Sequence, residues 1–362
     1  MSHAKRRDSL RRSVLGRAAL TVMSWGYGLA VGIRRMLYDR GVFKSKRLSA
    51  KVICIGNLTA GGTGKTPAVL LAAQTLRRRN LPVAILSRGY GRGGQKDRVT
   101  ALIDEKAPPW TDCGDEPWMM HQALSGMNIP ILVCSDRAKA GEEAINYYHS
   151  RLLILDDGFQ HHKLKRDLDI VLVNARDPFG GGSLLPLGDL REPAEGLARA
   201  NMIVITHADM LEAGELELLR EQLEKISDAP ILESAHKPDF LLEVKSEKRA
   251  KLSQLQGRKI VSFCGLGDPS QFETLLSRAG AETTQRWRYP DHHAYTLEEL
   301  KSLERLRGGM PAVTTWKDFV RFPEGWRDVV GDELYVLSIK LEILKGRNLW
   351  IDSLLKLAQA SE

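Results

Sequence analysis

The chain has 362 residues, room for two domains, and its 43% hydrophobic and 27% charged content excludes long disordered stretches. The formal net charge of +8 is concentrated at the start: residues 1–50 hold 12 Lys and Arg against 2 Asp and Glu, so the remainder sums to about −2. This excludes a basic nucleic-acid-binding body and describes a near-neutral enzyme with a cationic N-terminal arm.

In the arm, AKRRDSLRRS precedes an uncharged run over residues 18–33, AALTVMSWGYGLAVGI, bounded by Arg17 and by Arg34 and Arg35. The run is shorter than a full span and holds three glycines. No small-residue cleavage site follows, which argues against a removable signal peptide. The reading is an interfacial helix lying on anionic lipid with basic flanks. The bland alternative is a first helix packed on the core.

KVICIGN (51–57) is a β-branched strand, followed by LTAGGTGKTP and the helical AVLLAAQTLRRR. Strand, glycine-rich loop and helix form a phosphate cradle, because backbone N–H groups must approach phosphate oxygens closely. Residues Thr59, Ala60, Gly61, Gly62, Thr63, Gly64, Lys65 and Thr66 make up the loop. Lys65 reaches the β- and γ-phosphates, and the Thr66 hydroxyl suits Mg²⁺. The helix dipole points at the same anion, and Pro67 falls in its first turn. Thr59 stands where the G-x-x-x-x-G-K-[ST] pattern has glycine. Ala60 stands where partition-type ATPases carry a signature lysine, which counts against an ATPase switch.

Further strand candidates are 82–89, 129–134, 169–175 and 200–209, with helical patterns between most of them. RLLILDDGFQHH (151–162) is an apolar strand ending in two carboxylates. Asp156 is the first choice to hold the metal partner of the phosphates, with Asp157 beside the metal shell or the transferring group; the sequence leaves the direct ligand open. Adjacent carboxylates repel unless a cation lies close, so a metal role outweighs a simple Asp-Asp-Gly turn. The alternation predicts an α/β fold: a P-loop NTPase-like, mainly parallel sheet with helices on both faces, plus a smaller C-terminal α/β lobe. The expected division is an arm at 1–48, a kinase core at 49–240, linker strands and the small lobe at 241–343, and a helical tail at 344–362. FLLEVKSEKRA reads as a charged linker, ELYVLSIKLEI as a returning strand able to pair with it, and GLGDP as a strand-to-helix turn. Cys54, Cys113, Cys134 and Cys264 form no C-x-x-C pair and read as core thiols in a reducing compartment.

With DDGFQH, SRGYGR (87–92), GDEP (114–117), LLPLGDLREP (184–193) and PDHH (290–293) beside the phosphate loop, the chain resembles the tetraacyldisaccharide 4′-kinase family, the lipid A kinases of Gram-negative bacteria, over most of its length. The resemblance implies transfer of the ATP γ-phosphoryl group, with Mg²⁺, to the 4′-hydroxyl of a tetraacylated glucosamine disaccharide 1-phosphate, giving lipid IVA at the cytoplasmic face of the inner membrane. It implies no nucleic-acid partner and no obligate protein partner. By the same resemblance Asp115 orients or accepts the hydroxyl proton, His292 is its partner, with His293 an open alternative, and Glu192 joins the Mg²⁺ shell. Arg88, Tyr90, Arg137, Gln160, His161 and Arg191 match positions near substrate phosphate or sugar, where arginine forks suit a phosphate. Two rivals stand: a nucleotide switch, distantly suggested by THAD (206–209) but with His207 in place of lysine, and a soluble small-molecule kinase, which leaves the arm without a purpose.

Overall fold

The structure, a computed structural model, describes residues 7, 10–93, 96–103, 108–291 and 293–359. One sheet of 13 strands runs through it. In chain order these are β1 (Lys51–Asn57), β2 (Val83–Ser87), β3 (Thr100–Leu102), β4 (Ile131–Val133), β5 (Leu152–Asp156), β6 (Leu168–Asn174), β7 (Met202–Thr206), β8 (Ile231–Glu243), β9 (Lys248–Ala250), β10 (Lys259–Cys264), β11 (Glu282–Arg288), β12 (Ala312–Thr315) and β13 (Leu334–Lys345). The spatial order is β11-β10-β12-β13-β8-β7-β6-β1-β5-β2-β4-β3, with β9 paired to β8. Pairing is parallel except for β3–β4, β8–β9 and β8–β13. Strand β1 lies at the centre of its half between β5 and β6. Val52, Ile53, Cys54 and Ile55 are all buried there, as expected where helices cover both faces of a parallel sheet.

The main helices are α1 (Val14–Asp39), α2 (Lys65–Arg77), α3 (Asp115–Ala123), α4 (Arg137–Tyr148), α5 (Ala213–Glu224), α6 (Pro269–Arg278), α7 (Leu297–Arg307) and α8 (Arg347–Gln359). One face of the β1 half is covered by α2, α3 and α8, whose Ala68, Val69, Ala72, Met120, Trp350 and Leu354 share a core with Ile53 and Ile55. The other face carries α4 and α5, through Ala140, Ala144, Leu219 and Leu223. Two smaller cores, around Phe263, Leu300 and Phe319 and around Leu255, Phe272 and Leu276, flank the β10–β12 end. All four cysteines are free and buried.

The stretch read as a linker is itself sheet. Strand β8 starts parallel to β7 at Ile231 and continues to Glu243, where it also pairs with β9. Strand β13 starts parallel to β12 and runs back along β8 from Tyr335↔Glu243 to Lys345↔Glu233. Two long strands thus join the two ends of the sheet as a continuous antiparallel ribbon, stiffer than a flexible connection because their backbone groups are paired with each other.

Helix α1 is unlike the others. Ser13 caps it, its Oγ accepting the Gly16 N–H at 3.0 Å. Only Gly16, Leu20 and Ser24 of its 26 residues are buried, while Val14, Leu15, Val22, Met23, Trp25 and Leu29 are exposed. By length and composition it is apolar enough to cross a membrane. Its inner face is held by Ser24 Oγ donating to Leu184 O (3.0 Å) and Tyr27 O–H donating to Arg191 O (2.8 Å). An ordinary core helix does not leave its large apolar side chains in water.

The C-terminal helix α8 packs on α2, and Trp350 is 1% exposed at that contact. Replacing Trp350 with alanine is expected to cost about 3–5 kcal/mol of stability, the usual range for emptying a buried aromatic site. Urea unfolding with an unchanged slope would measure it.

Candidate active site

The phosphate loop leaves β1 at Asn57 and enters α2 at Lys65. Its shape is fixed from below. The buried Asn57 side-chain amide donates to Thr59 O at 2.8 Å, and its Oδ1 accepts from Lys65 Nζ at 3.2 Å. Thr206, at the end of β7, donates from Oγ1 to Thr63 O at 3.1 Å. The segment 184–191 lies alongside, with Ala60 N donating to Asp189 O (2.6 Å) and Arg191 N to Leu58 O (2.7 Å). Gly64 adopts φ +80°, and a Cβ there would stand 2.4 Å from His236 Nε2, so both conformation and space require glycine. At Gly61 and Gly62 an added Cβ would meet nothing within 4 Å; this is the open face of the loop. Thr66 is buried at the start of α2.

Strand β5, next to β1, delivers the carboxylates to this loop. Asp156 ends the strand, fully enclosed, and accepts from Ser87 Oγ of β2 at 3.0 Å. Burial, with the negative Glu116 and Asp157 nearby, pushes its carboxyl above the usual range despite Lys65. Asp157 follows at φ +50° and lies 3.6 Å from Lys65 Nζ, while Arg191 Nη1 contacts both of its oxygens at 2.8 Å. Burial alone would raise the Asp157 carboxyl, but Lys65 and Arg191 together hold it below its ordinary value. The hard oxygen donors here, the Thr66 hydroxyl and the Asp156 carboxylate, suit a magnesium ion that takes most of its ligands from phosphate and water. Among the described residues there is no cluster of three or more His, Cys, Asp and Glu of the kind that cages a metal.

The remaining residues singled out from the sequence fall into groups. Glu192 is buried and has both oxygens engaged: Arg199 Nη2 lies at 2.8 and 3.1 Å, and Gln160 Nε2 at 2.8 Å. Gln160 also donates to Asn57 O at 2.9 Å. Its amide N–H groups therefore brace β1 against Glu192. Arg191 is likewise committed to Asp157. Arg137 opens α4, buried, with Nη1 donating to Ser135 O at 3.0 Å; burial and then the nearby Arg88 weaken its hold on its proton. Arg88 and Tyr90 are exposed on the loop after β2. His161 is pushed down to about 4 by burial and then by Arg137, Arg166, Lys163 and Arg34.

Asp115 opens α3, its Oδ1 accepting the Glu116 N–H at 2.9 Å. Its Oδ2 pairs with Arg321, from the far end of the sheet. His292 lies outside the described residues. Its neighbour His293 has Nε2 3.1 Å from both Glu299 oxygens and stacks on Tyr289 at 4.7 Å.

The comparisons with known proteins identify the family. The model of the family described as tetraacyldisaccharide-1-P 4′-kinase matches residues 16–358. The chain belongs to that family. The tetraacyldisaccharide 4′-kinase of Elusimicrobium minutum is 45% identical over 349 residues, covering 96% of this chain and 93% of that one. The protein of the same name from Anaeromyxobacter dehalogenans is 38% identical over 335 residues, 92% of this chain and 88% of its own length. The crystal structure of LpxK from Aquifex aeolicus in complex with ATP superposes with a TM-score of 0.75 at 30% identity, covering 95% of this chain and 99% of that one. The chain is thus an ATP-binding kinase with the expected mainly parallel α/β fold.

Several residues of this kinase site were not foreseen. Asn57, Ser87, Thr206 and Arg199 hold a loop or carboxylate through side-chain hydrogen bonds, and no motif announces such contacts. Asn57 alone left a signal, as a polar side chain ending an apolar strand. THAD proves to carry a loop support (Thr206) and one member of a buried histidine pair: His207 and His236 stand ring to ring at 4.2 Å and 90°. His236 is pushed down to about 3 by burial and then by His207. A histidine with a depressed folded value favours the unfolded, protonated state as acid is added. Stability should therefore be intact above about pH 6.5 and decline as the pH falls toward 3. Thermal melts from pH 7.5 to 4.5 should show a shallower decline for His236→Phe than for the parent chain.

Proposed function

We propose that the chain transfers the γ-phosphoryl group of ATP to the 4′-hydroxyl of a tetraacylated glucosamine disaccharide 1-phosphate. The product is lipid IVA, in lipid A synthesis at the cytoplasmic face of the inner membrane. The observation that carries this reading is the placement of Lys65, at the start of α2, within 3.6 Å of Asp157, just past the end of β5, in a chain that matches the family nearly end to end. A nucleotide lying on residues 59–66 brings its terminal phosphate to the carboxylate pair. In the transfer, the 4′-oxygen bonds to the γ-phosphorus, the bond to the β,γ-bridging oxygen breaks, and ADP leaves. The hydroxyl proton passes to Asp115, with His292 as its partner.

Thr66 and Asp156 would hold Mg²⁺, with Asp157 beside them and Glu192 steadying the shell through Gln160. The ion supplies charge neutralisation at the phosphates. Lys65 stabilises charge developing on the transferred group, a preorganised interaction that needs no rearrangement. Arg88, Tyr90, Arg137 and His161 face the acceptor, where two arginines and a neutral imidazole favour the 1-phosphate. The exposed apolar face of α1, with its basic flanks, supports a peripheral attachment: the helix is docked by Ser24 and Tyr27 on one side and free to enter lipid on the other. The core at 49–240 and the smaller lobe at 241–343 would then bring nucleotide and Asp115 partners together.

Phosphoryl transfer is tested with γ-labelled ATP, Mg²⁺ and the disaccharide 1-phosphate in detergent. Label is expected in the lipid, reduced on the order of 10³-fold or more by Lys65→Ala. Phosphate release into water with no lipid label would return the chain to the nucleotide-switch reading. Removing residues 1–35 should abolish flotation with anionic vesicles. A truncated chain that still floats would place the membrane contact elsewhere.

A further inference from the structure

The one-turn helix Trp316–Phe319 and the residues that follow it stand between the two ends of the sheet. Asp318 is completely buried. It accepts three donors: the Gly265 N–H at 2.7 Å, the Tyr295 O–H at 2.9 Å and the Thr315 O–H at 2.5 Å. Gly265 follows β10 and Tyr295 precedes α7, so one carboxylate ties this turn to two separate segments of the small core. The GLGDP stretch, the strand-to-helix turn after β10, supplies one of those ties.

Three residues further on, the turn faces the other way. The Arg321 side chain, 5% exposed, pairs with Asp115 at the start of α3. The contact has a width beyond the single pair. Lys317 Nζ lies 3.7 Å from Glu116, and the Phe319 ring meets Trp118 edge-on at 6.4 Å between centroids. Asp115 has its Oδ1 on the Glu116 N–H and its Oδ2 on Arg321, so its carboxylate plane is fixed.

We propose that Arg321 is a positioning residue for Asp115 in phosphoryl transfer, and that Asp318 anchors the turn that carries Arg321 to it. This rests on the reading of Asp115 as the proton acceptor. A guanidinium held by a buried anchor orients the carboxylate from the side away from its own backbone. A displacement of an ångström in such a group lowers the rate on the order of 100-fold.

The test is steady-state kinetics of the full chain with ATP, Mg²⁺ and the disaccharide 1-phosphate. Arg321→Gln should lower kcat on the order of 100-fold, with the KM for ATP changed less than about threefold. Arg321→Lys should recover part of the loss, since it keeps the charge without the fork. Tyr295→Phe, which removes one donor from Asp318 and keeps the ring, should lower kcat roughly tenfold. In an Asp115→Asn background, Arg321→Gln should change the residual rate less than about threefold, because the group it positions is gone. Equal fold-losses in both backgrounds, or a normal kcat in Arg321→Gln, would overturn the proposal. Should Arg321→Gln fail to fold, Arg321→Lys and Tyr295→Phe run the same cycle with the same criteria. A wild-type kcat in Asp115→Asn alone overturns the proton-acceptor reading itself. An inactive Asp115→Asn beside a normal Arg321→Gln overturns only the positioning role.

Discussion

Two carboxylates in succession, Asp156 and Asp157, at the end of a strand sealed on both faces set the terms for everything around them. Like charges so placed cannot both stay ionised without help. The surroundings resolve the conflict by treating the two differently. Asp157 turns outward at positive φ, into the reach of Lys65 and Arg191. Asp156 stays enclosed, with a single hydroxyl donor from Ser87. One carboxylate is thereby fixed as an anion, and the other is left with a strong appetite for a cation. Lys65 serves both needs at once, because it sits between the pair and the phosphate loop. The loop glycines, the Asn57 brace and the Thr206 prop all keep that lysine where it is.

The β8–β13 ribbon extends the same economy of parts to the rest of the chain. His236 in the first half of β8 touches Gly64 of the phosphate loop. Leu241 and Leu337, further along the same ribbon, belong to a core at the β10–β12 end. A paired two-stranded ribbon bends as a unit, whereas a loop of the same length would let its ends wander. Arg321 and Asp115 can therefore meet reproducibly although 206 positions separate them in sequence.

How much of this could be read beforehand depended on whether the signal was local. The β1 strand, the glycine loop, Lys65 and the Asp156–Asp157 strand end are contiguous patterns with a direct chemical reason, and each lies where its spacing placed it. The exposed apolar run in residues 18–33 was also legible, because lipid-facing and core helices differ in flanking charge. The stretch around 240–250 was legible as extended chain with ELYVLSIKLEI returning beside it, and β13 does pair along β8; the length of that pairing, back to Glu233, was not, since alternating polar residues look alike in a linker and in a strand with one face near solvent. For Gln160 and Arg191 a motif gives residue types but not the hydrogen bonds they make to Glu192 and Asp157. Arg321, Asp318 and Thr206 were silent, because their importance lies entirely in partners far away along the chain.

The segment 184–191 shows how one such silent arrangement links membrane and chemistry. Tyr27 of α1 donates to the Arg191 carbonyl at 2.8 Å, and the Arg191 side chain grips Asp157. The Arg191 N–H holds Leu58 O at the head of the phosphate loop. Ser24, one turn earlier on α1, fixes Leu184 O at the other end of the segment. The helix with the exposed apolar face is thus two residues' reach from Asp157. An acceptor whose acyl chains lie in a bilayer presents its sugar only at the surface. On the proposed reading, a site framed by a helix lying on that surface would meet the sugar without lifting the lipid out of its solvent, a step that costs about 0.8 kcal/mol for each CH₂ exposed.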